Sequence, residues 1–356
     1  MKRIILIVSI VILIALSFAG WRLLGPATAF SGDKYYLYIP TGSDFGDVVT
    51  LLKKDTVLKH LGSFTWLAAR MDYPSAVKAG KYEIKSGMSV ANILHILHNG
   101  HQSPVRFTIT KLRTRENLAF QIGKRFEPDS AAVSQFCGNN DSLAQFGVDS
   151  NTFMTIVFPN TYTYFWNSSP SAIFKKMYAA YKTWWTPGRI QQARDKGLTP
   201  TTAYILASIV EEETNLQGDK GKIASVYLNR MAKGMRLAAD PTVKFALRNF
   251  ELRRIYDKYT KVESPYNTYR NAGLPPGPIC TPSEQTLTAV LESPNTDYLY
   301  FVAKPDFSGY SNFSSTYAQH MEYAGEYRKA LDEQMAIRAK GDSLKKLDTD
   351  SLAAKQ

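Results

Sequence analysis

Only two cysteines, Cys137 and Cys280, occur in 356 residues. That is too few for a disulfide framework or a thiolate metal site, although it leaves one bridge between them open. The five histidines contain no HExxH pair, so the helical zinc-hydrolase signature is absent. His95, His98 and His101 are spaced i, i+3, i+6, which fits one helical face as a ligand set or as the wet side of a helix ending at Asn99-Gly100. The second reading is preferred, and neither a metal nor another cofactor is expected. The chain has no internal repeat and no recognisable nucleic-acid module, and its basic residues are spread along its length. Its formal charge of +12 therefore points to a membrane surface or an anionic wall polymer and not to nucleic acid. Apolar and charged fractions of 44% and 21% exclude wholesale disorder.

What the chain does have begins with Ile4 to Gly20, an apolar run without a charge, preceded by Lys2 and Arg3 and followed by Trp21 and Arg22. As a helix it spans about 26 Å, and extension to Leu24 crosses a hydrocarbon core. The positive flank predicts a cytoplasmic N-terminus. Ser17-Phe18-Ala19 offers a cleavage signal, but the run is long for a signal peptide and ends in an interfacial tryptophan, so an uncleaved single-pass anchor over residues 1–26 is expected.

The rest reads as α+β. YYLYIP alternates like a strand, Asp44 to Leu61 and Phe64 to Met71 read as helices, and VKAGKYEIK as a second strand. A helix follows with Val90, Ile93, Leu94 and Leu97 at i, i+3, i+4, i+7 and a glycine stop. A strand at 105–110 precedes helices at 115–126 and 170–185, separated by a polar, mostly helical stretch and the aromatic segment IVFPNTYTYFW. Beyond residue 266 come a rigid proline-rich loop, a helix from Glu284 to Leu291, strands at 297–303 and after GYSNFSS, and a helix from Thr316 to about Ala339. The charged tail 341–356 is expected to be frayed or disordered.

The chemistry concentrates between Tyr204 and Thr242, which reads as two amphipathic helices joined by a polar turn. On the first, Leu206, Ile209, Val210 and Leu216 share a face at 100° per residue, and Glu213 sits in its middle. Glu211 and Glu212 fall on the flanks, where water can reach them. A carboxyl on an apolar face has a raised pKa and holds its proton near neutrality, which suits a general acid for glycosidic-bond cleavage. The alternative is a buried glutamate paired with a cation such as Arg230.

Three ordered blocks, ASIVEEET (207–214), IASVYLNRMAKGMRLAADPTV (223–243) and YNTYRNAGLPPGPICTP (266–282), resemble the YceG/MltG family of endolytic murein transglycosylases. YLYFVA and the Phe313 to His320 segment resemble that family's C-terminal end. The strand–helix–helix–strand order of 27–110 resembles its LysM-like peptidoglycan-binding region, which leaves 111–340 as the catalytic domain. The resemblance implies Glu213 as the catalytic residue, which would cut the MurNAc-GlcNAc bond of nascent strands and leave 1,6-anhydroMurNAc ends. It implies supporting or substrate-binding roles for Glu211, Thr214, Asn229, Asp240, Tyr266, Asn267, Thr268 and Tyr269. It further implies an extracytoplasmic enzyme on the bacterial inner membrane beside peptidoglycan synthases. Asn160 departs from the family's Pro-Asp-Thr pattern, which weakens a charge-recognition role for that block.

Overall fold

A computed structural model of the chain describes residues 2–252 and 254–353, of which 338–353 are described by backbone alone. The first elements are α1 (Lys2–Leu24), β1 (Lys34–Ile39), α2 (Phe45–Lys54), α3 (Leu61–Arg70), β2 (Gly80–Lys85), α4 (Val90–Asn99) and β3 (Val105–Thr108). Next come α5 (Arg115–Gly123), α6 (Ser130–Gly138), α7 (Asn140–Ala144), β4 (Thr161–Tyr164), α8 (Pro170–Trp184) and α9 (Pro187–Asp195). The chain continues with α10 (Pro200–Glu213), α11 (Gln217–Ala232), α12 (Asp240–Ala246), α13 (Asp257–Thr260) and α14 (Glu284–Leu291). It closes with β5 (Tyr300–Ala303), β6 (Ser311–Ser314) and α15 (Tyr317–Ala353). Two compact units divide these elements, one of residues 1–108, 118–136 and 161–174, the other of 109–117, 137–160 and 175–356.

In the first unit α1 is long and apolar enough to cross a membrane, and none of its described residues is buried. β1 and β2 pair antiparallel from Lys34↔Lys85 to Ile39↔Gly80, with α2 and α3 between them in sequence. The side chains of Leu37, Ile39, Tyr82 and Ile84 turn to one face and meet Val48, Leu52 and Phe64 in a shared core. Burying each contributes on the order of 1.5–3 kcal/mol. The helix expected over Asp44 to Leu61 stops at Lys54, because Thr56 takes a left-handed backbone (φ +48°) that turns the chain. Its start is fixed by a reciprocal cap between Asp44 and Asp47. α4 buries the four predicted residues and ends at Gly100 in the left-handed conformation that glycine adopts freely. On this helix His95 bonds Asn99 and the His98 ring lies beside Tyr73. β3 pairs with β4 across some fifty residues of sequence, Val105↔Tyr164 to Thr108↔Thr161.

The second unit is built around α10. Thr199 and Thr202 cap its N-terminus reciprocally and Pro200 opens it, so the backbone donors of the first turn are satisfied. Eight consecutive residues, Ala203 to Val210, are buried. The helix is therefore enclosed on all sides and not striped as the sequence periodicity suggests. α9, α11, α12 and α14 supply the surrounding layer through Ala193, Ile223, Tyr227, Phe245, Leu287 and Val290. Tyr204 donates to the Val157 carbonyl at 2.5 Å, tying α10 to the aromatic segment. Ser208, fully buried, accepts from the Ile279 amide at 3.0 Å and pins the proline-rich loop to the same helix.

The β5–β6 hairpin pairs Tyr300↔Ser314 to Ala303↔Ser311. α15 runs past residue 340, where the tail was expected to begin, and residues 354–356 of that tail lie outside the described residues. Both cysteines are buried and unbridged.

Candidate active site

Three successive glutamates end α10, and each meets a different environment. Glu211 accepts from the Lys220 ammonium at 3.1 Å, from the Ser283 hydroxyl at 3.0 Å and from the Thr286 hydroxyl. Burial pushes its carboxyl up, but these bonds and the lysine charge outweigh it and hold Glu211 below the usual carboxylate range. Glu212 is paired to Lys111 at 2.7 Å and to Arg113 at 3.1 Å. Both are only partly accessible and are engaged in ion pairs, where flank positions open to water were expected. They lock α10 to α11, to α14 and to the segment 109–113.

Glu213 receives no such cation. The Tyr227 hydroxyl on α11 donates to its Oε1 at 2.5 Å. Part of the residue is accessible, yet the protein packs closely enough for desolvation to be the leading influence on its carboxyl. The Tyr227 bond, Lys244 and Arg230 oppose this, the Asp240 charge reinforces it, and the balance lifts Glu213 to about 7. Its place at the C-terminal end of a helix, where the backbone dipole is negative, adds in the same direction. Burial and the Glu213 charge raise Tyr227 well above its ordinary value, so the phenol remains the donor.

Asp240 and Tyr269 complete the cluster. The Tyr269 hydroxyl donates to Asp240 Oδ1 at 2.6 Å, and both residues interact electrostatically with Glu213. Arg230, the ion-pair partner of the alternative reading, spends its guanidinium on backbone carbonyls, donating to Leu299 at 2.7 Å and to Leu237 at 2.6 Å. It reaches Glu213 only as a charge.

The remaining predicted residues are placed elsewhere. Thr214 caps α10, and its hydroxyl accepts from the Leu216 amide at 3.0 Å, not from Glu213. Asn229 donates to the Thr296 and Tyr298 carbonyls. Asn267 is buried and holds its own loop through the Thr260 and Val262 carbonyls. Thr268 bonds Thr242 and the Ala239 amide, fixing the start of α12. Tyr266 packs on Phe245, ring centroids 4.7 Å apart.

Tyr227, the hydrogen-bond partner of Glu213, is the member of this cluster that sequence reading missed. It lies fourteen positions after Glu213 on another helix, and its apolar neighbours mark it as core. Only the buried hydroxyl, which must find a partner, could have flagged it. Among the described residues no group of three or more His, Cys, Asp or Glu could hold a metal.

Residues 37–326 match the model of the YceG-like family. The endolytic murein transglycosylase of Bacillus subtilis (strain 168) is 28% identical over 331 residues, covering 88% of this chain and 91% of that protein. The protein of the same name from Streptococcus pneumoniae (serotype 2, strain D39) is 28% identical over 313 residues, 78% of this chain and 56% of that longer protein. A crystal structure of a yceG-like protein from Listeria monocytogenes superposes with a TM-score of 0.53 at 27% identity, covering 82% of this chain and 99% of that one.

Proposed function

The chain belongs to the YceG-like family, and from that premise we propose that it is an endolytic murein transglycosylase in which Glu213 serves as both acid and base. One observation carries the assignment of the residue. Of three adjacent glutamates, two are neutralised by cations and one is held by a phenol at a pKa of about 7. Environments that separate the pKa values of neighbouring carboxyls mark the acid.

With Tyr227 donating to Oε1, Oε2 carries the proton. It passes to the oxygen linking N-acetylmuramic acid to N-acetylglucosamine, and the C1–O bond breaks to an oxocarbenium-like state. The new carboxylate, still bonded by Tyr227, removes the proton of the sugar's 6-hydroxyl as O6 closes on C1. A 1,6-anhydromuramoyl end and a free 4-hydroxyl result, and the glutamic acid is restored. An intramolecular nucleophile has a high effective concentration, so no second carboxylate and no water are needed. Asp240 raises Glu213 and lies close enough for its charge to favour the cationic transition state.

Residues 27–110 fit a LysM-like peptidoglycan-binding role on the strength of their β–α–α–β order, and 111–340 the catalytic one. α1 would hold the enzyme on the bacterial inner membrane with a cytoplasmic N-terminus, within reach of strands leaving peptidoglycan synthases. Asp240 also gives the one specific argument for a water-using muramidase, since Glu211 is fully engaged by Lys220 and two hydroxyls.

Mass spectrometry of peptidoglycan digested by the full chain in detergent separates these readings. Anhydromuramoyl ends that vanish with Glu213→Gln support the lyase. Reducing ends would establish the hydrolase instead.

A further inference from the structure

On the flank of α10, in the second unit, a pocket of about 140 Å³ is lined by Arg113, Arg115 and Arg248, with Asn151 and Tyr266 among its polar wall and Phe245 among its apolar one. No carboxylate lines it. The guanidiniums are braced from behind. Arg113 lies over the Phe250 ring at 5.0 Å and Arg248 over Phe245 at 4.8 Å, an arrangement that leaves their edges free to donate. Four cations here, Lys111, Arg113, Arg115 and Arg248, share two carboxylates, Glu212 and Glu116. Asp149, beside the lining residues Ser150 and Asn151, adds a third negative charge that acts on Tyr266, and four cations against three carboxylates still leave positive charge over. The Nε of Arg113 is buried with no hydrogen-bond partner, a donor left unsatisfied.

Two backbone features shape the pocket. Arg248, just past the end of α12, holds a left-handed backbone at φ +54° that glycine would adopt without strain. Gly277 lets the proline-rich loop close the wall, since a Cβ there would stand 2.1 Å from the Asn151 carbonyl. The volume matches roughly four or five waters, which is room for a small anionic group and not for a sugar chain.

We propose that this pocket is an oxyanion subsite that reads a charged group carried by the glycan strand, either a carboxylate of the peptide stem or a phosphate of a lipid-linked strand end. This rests on the murein substrate assigned above and extends it. Arg113 couples the pocket to the acid, because the carboxylate it shares, Glu212, directly precedes Glu213.

The test measures binding and not cleavage. Full-length chain in detergent is titrated calorimetrically with N-acetylmuramoyl-L-alanyl-D-glutamate, with its diamide, and with inorganic pyrophosphate. None contains the bond the enzyme cuts, so the result is independent of the role of Glu213. The acid is expected to bind at least tenfold tighter than the diamide, and Arg248→Gln and Arg115→Gln each to weaken it about tenfold. Both side chains are about half exposed, 52% and 46%, and unchanged melting temperatures confirm folded variants. Pyrophosphate binding tighter than the acid, lost in the same variants, identifies the lipid-linked end as the source. Equal binding of acid and diamide without pyrophosphate binding, unaltered binding in both variants, or no binding by any probe overturns the subsite.

Discussion

The Tyr227 hydroxyl meets Oε1 of Glu213 at 2.5 Å from a separate helix. In the proposed reaction it stabilises the carboxylate after proton transfer while leaving Oε2 to make that transfer, so one phenol would serve both halves of a cycle in which a single carboxyl changes role.

Replacing Glu213 by Gln should lower the rate of anhydromuramoyl formation by about 10³-fold, within the 10²–10⁴ range of general acid–base catalysis. Strand binding should persist. Product mass spectrometry and a pull-down on peptidoglycan measure the two separately.

The pH profile should shift in opposite directions in two variants. The acid must be protonated, so kcat/KM falls as pH rises through about 7 in the wild type. Tyr227→Phe removes a bond that lowers the Glu213 pKa, so its alkaline limb moves to higher pH while the rate drops some tenfold or more. Asp240→Asn removes a charge that raises it, so the limb moves to lower pH. A limb unmoved in both variants would assign it to another group.

Stability should carry the same signature. The carboxyl of Glu213 is raised from 4.5 to about 7 on folding, so the folded state holds its proton where the unfolded state has released it. Stability from this group is intact below about 4.5 and is lost as pH rises towards 7, a penalty of up to about 3 kcal/mol. Glu213→Gln carries no charge in either state. It should match the wild type at pH 4 and melt a few degrees higher at pH 8 in calorimetry.

The Lys220–Glu211 pair is structural. Lys220→Met leaves a partly buried carboxylate without its cation and should cost about 3 kcal/mol. Adding Glu211→Gln should restore part of that loss, as measured by chemical denaturation.

Sequence periodicity placed the buried face and the end of α4, because a four-residue apolar stripe and a glycine stop leave one register. It singled out Glu213 as the candidate too, though through a striped helix that proves to be enclosed all round. Charge placement was less legible. Glu211 and Glu212 read as solvated, since their partners Lys220, Thr286, Lys111 and Arg113 lie on other elements. Tyr227 and the β3–β4 pairing were hidden for the same reason. Both depend on packing between segments that local pattern does not relate.

The interleaving of the two units has a consequence for biosynthesis. Among the described residues β3 pairs with no strand but Thr161–Tyr164, so a ribosome that has released residue 110 has not yet supplied what closes the first unit. The second unit waits longer, because Glu213 acquires its setting only with Asp240 and Tyr269. The setting proposed for the acid is therefore completed late in translation, and a nascent chain that stops short of Tyr269 lacks it.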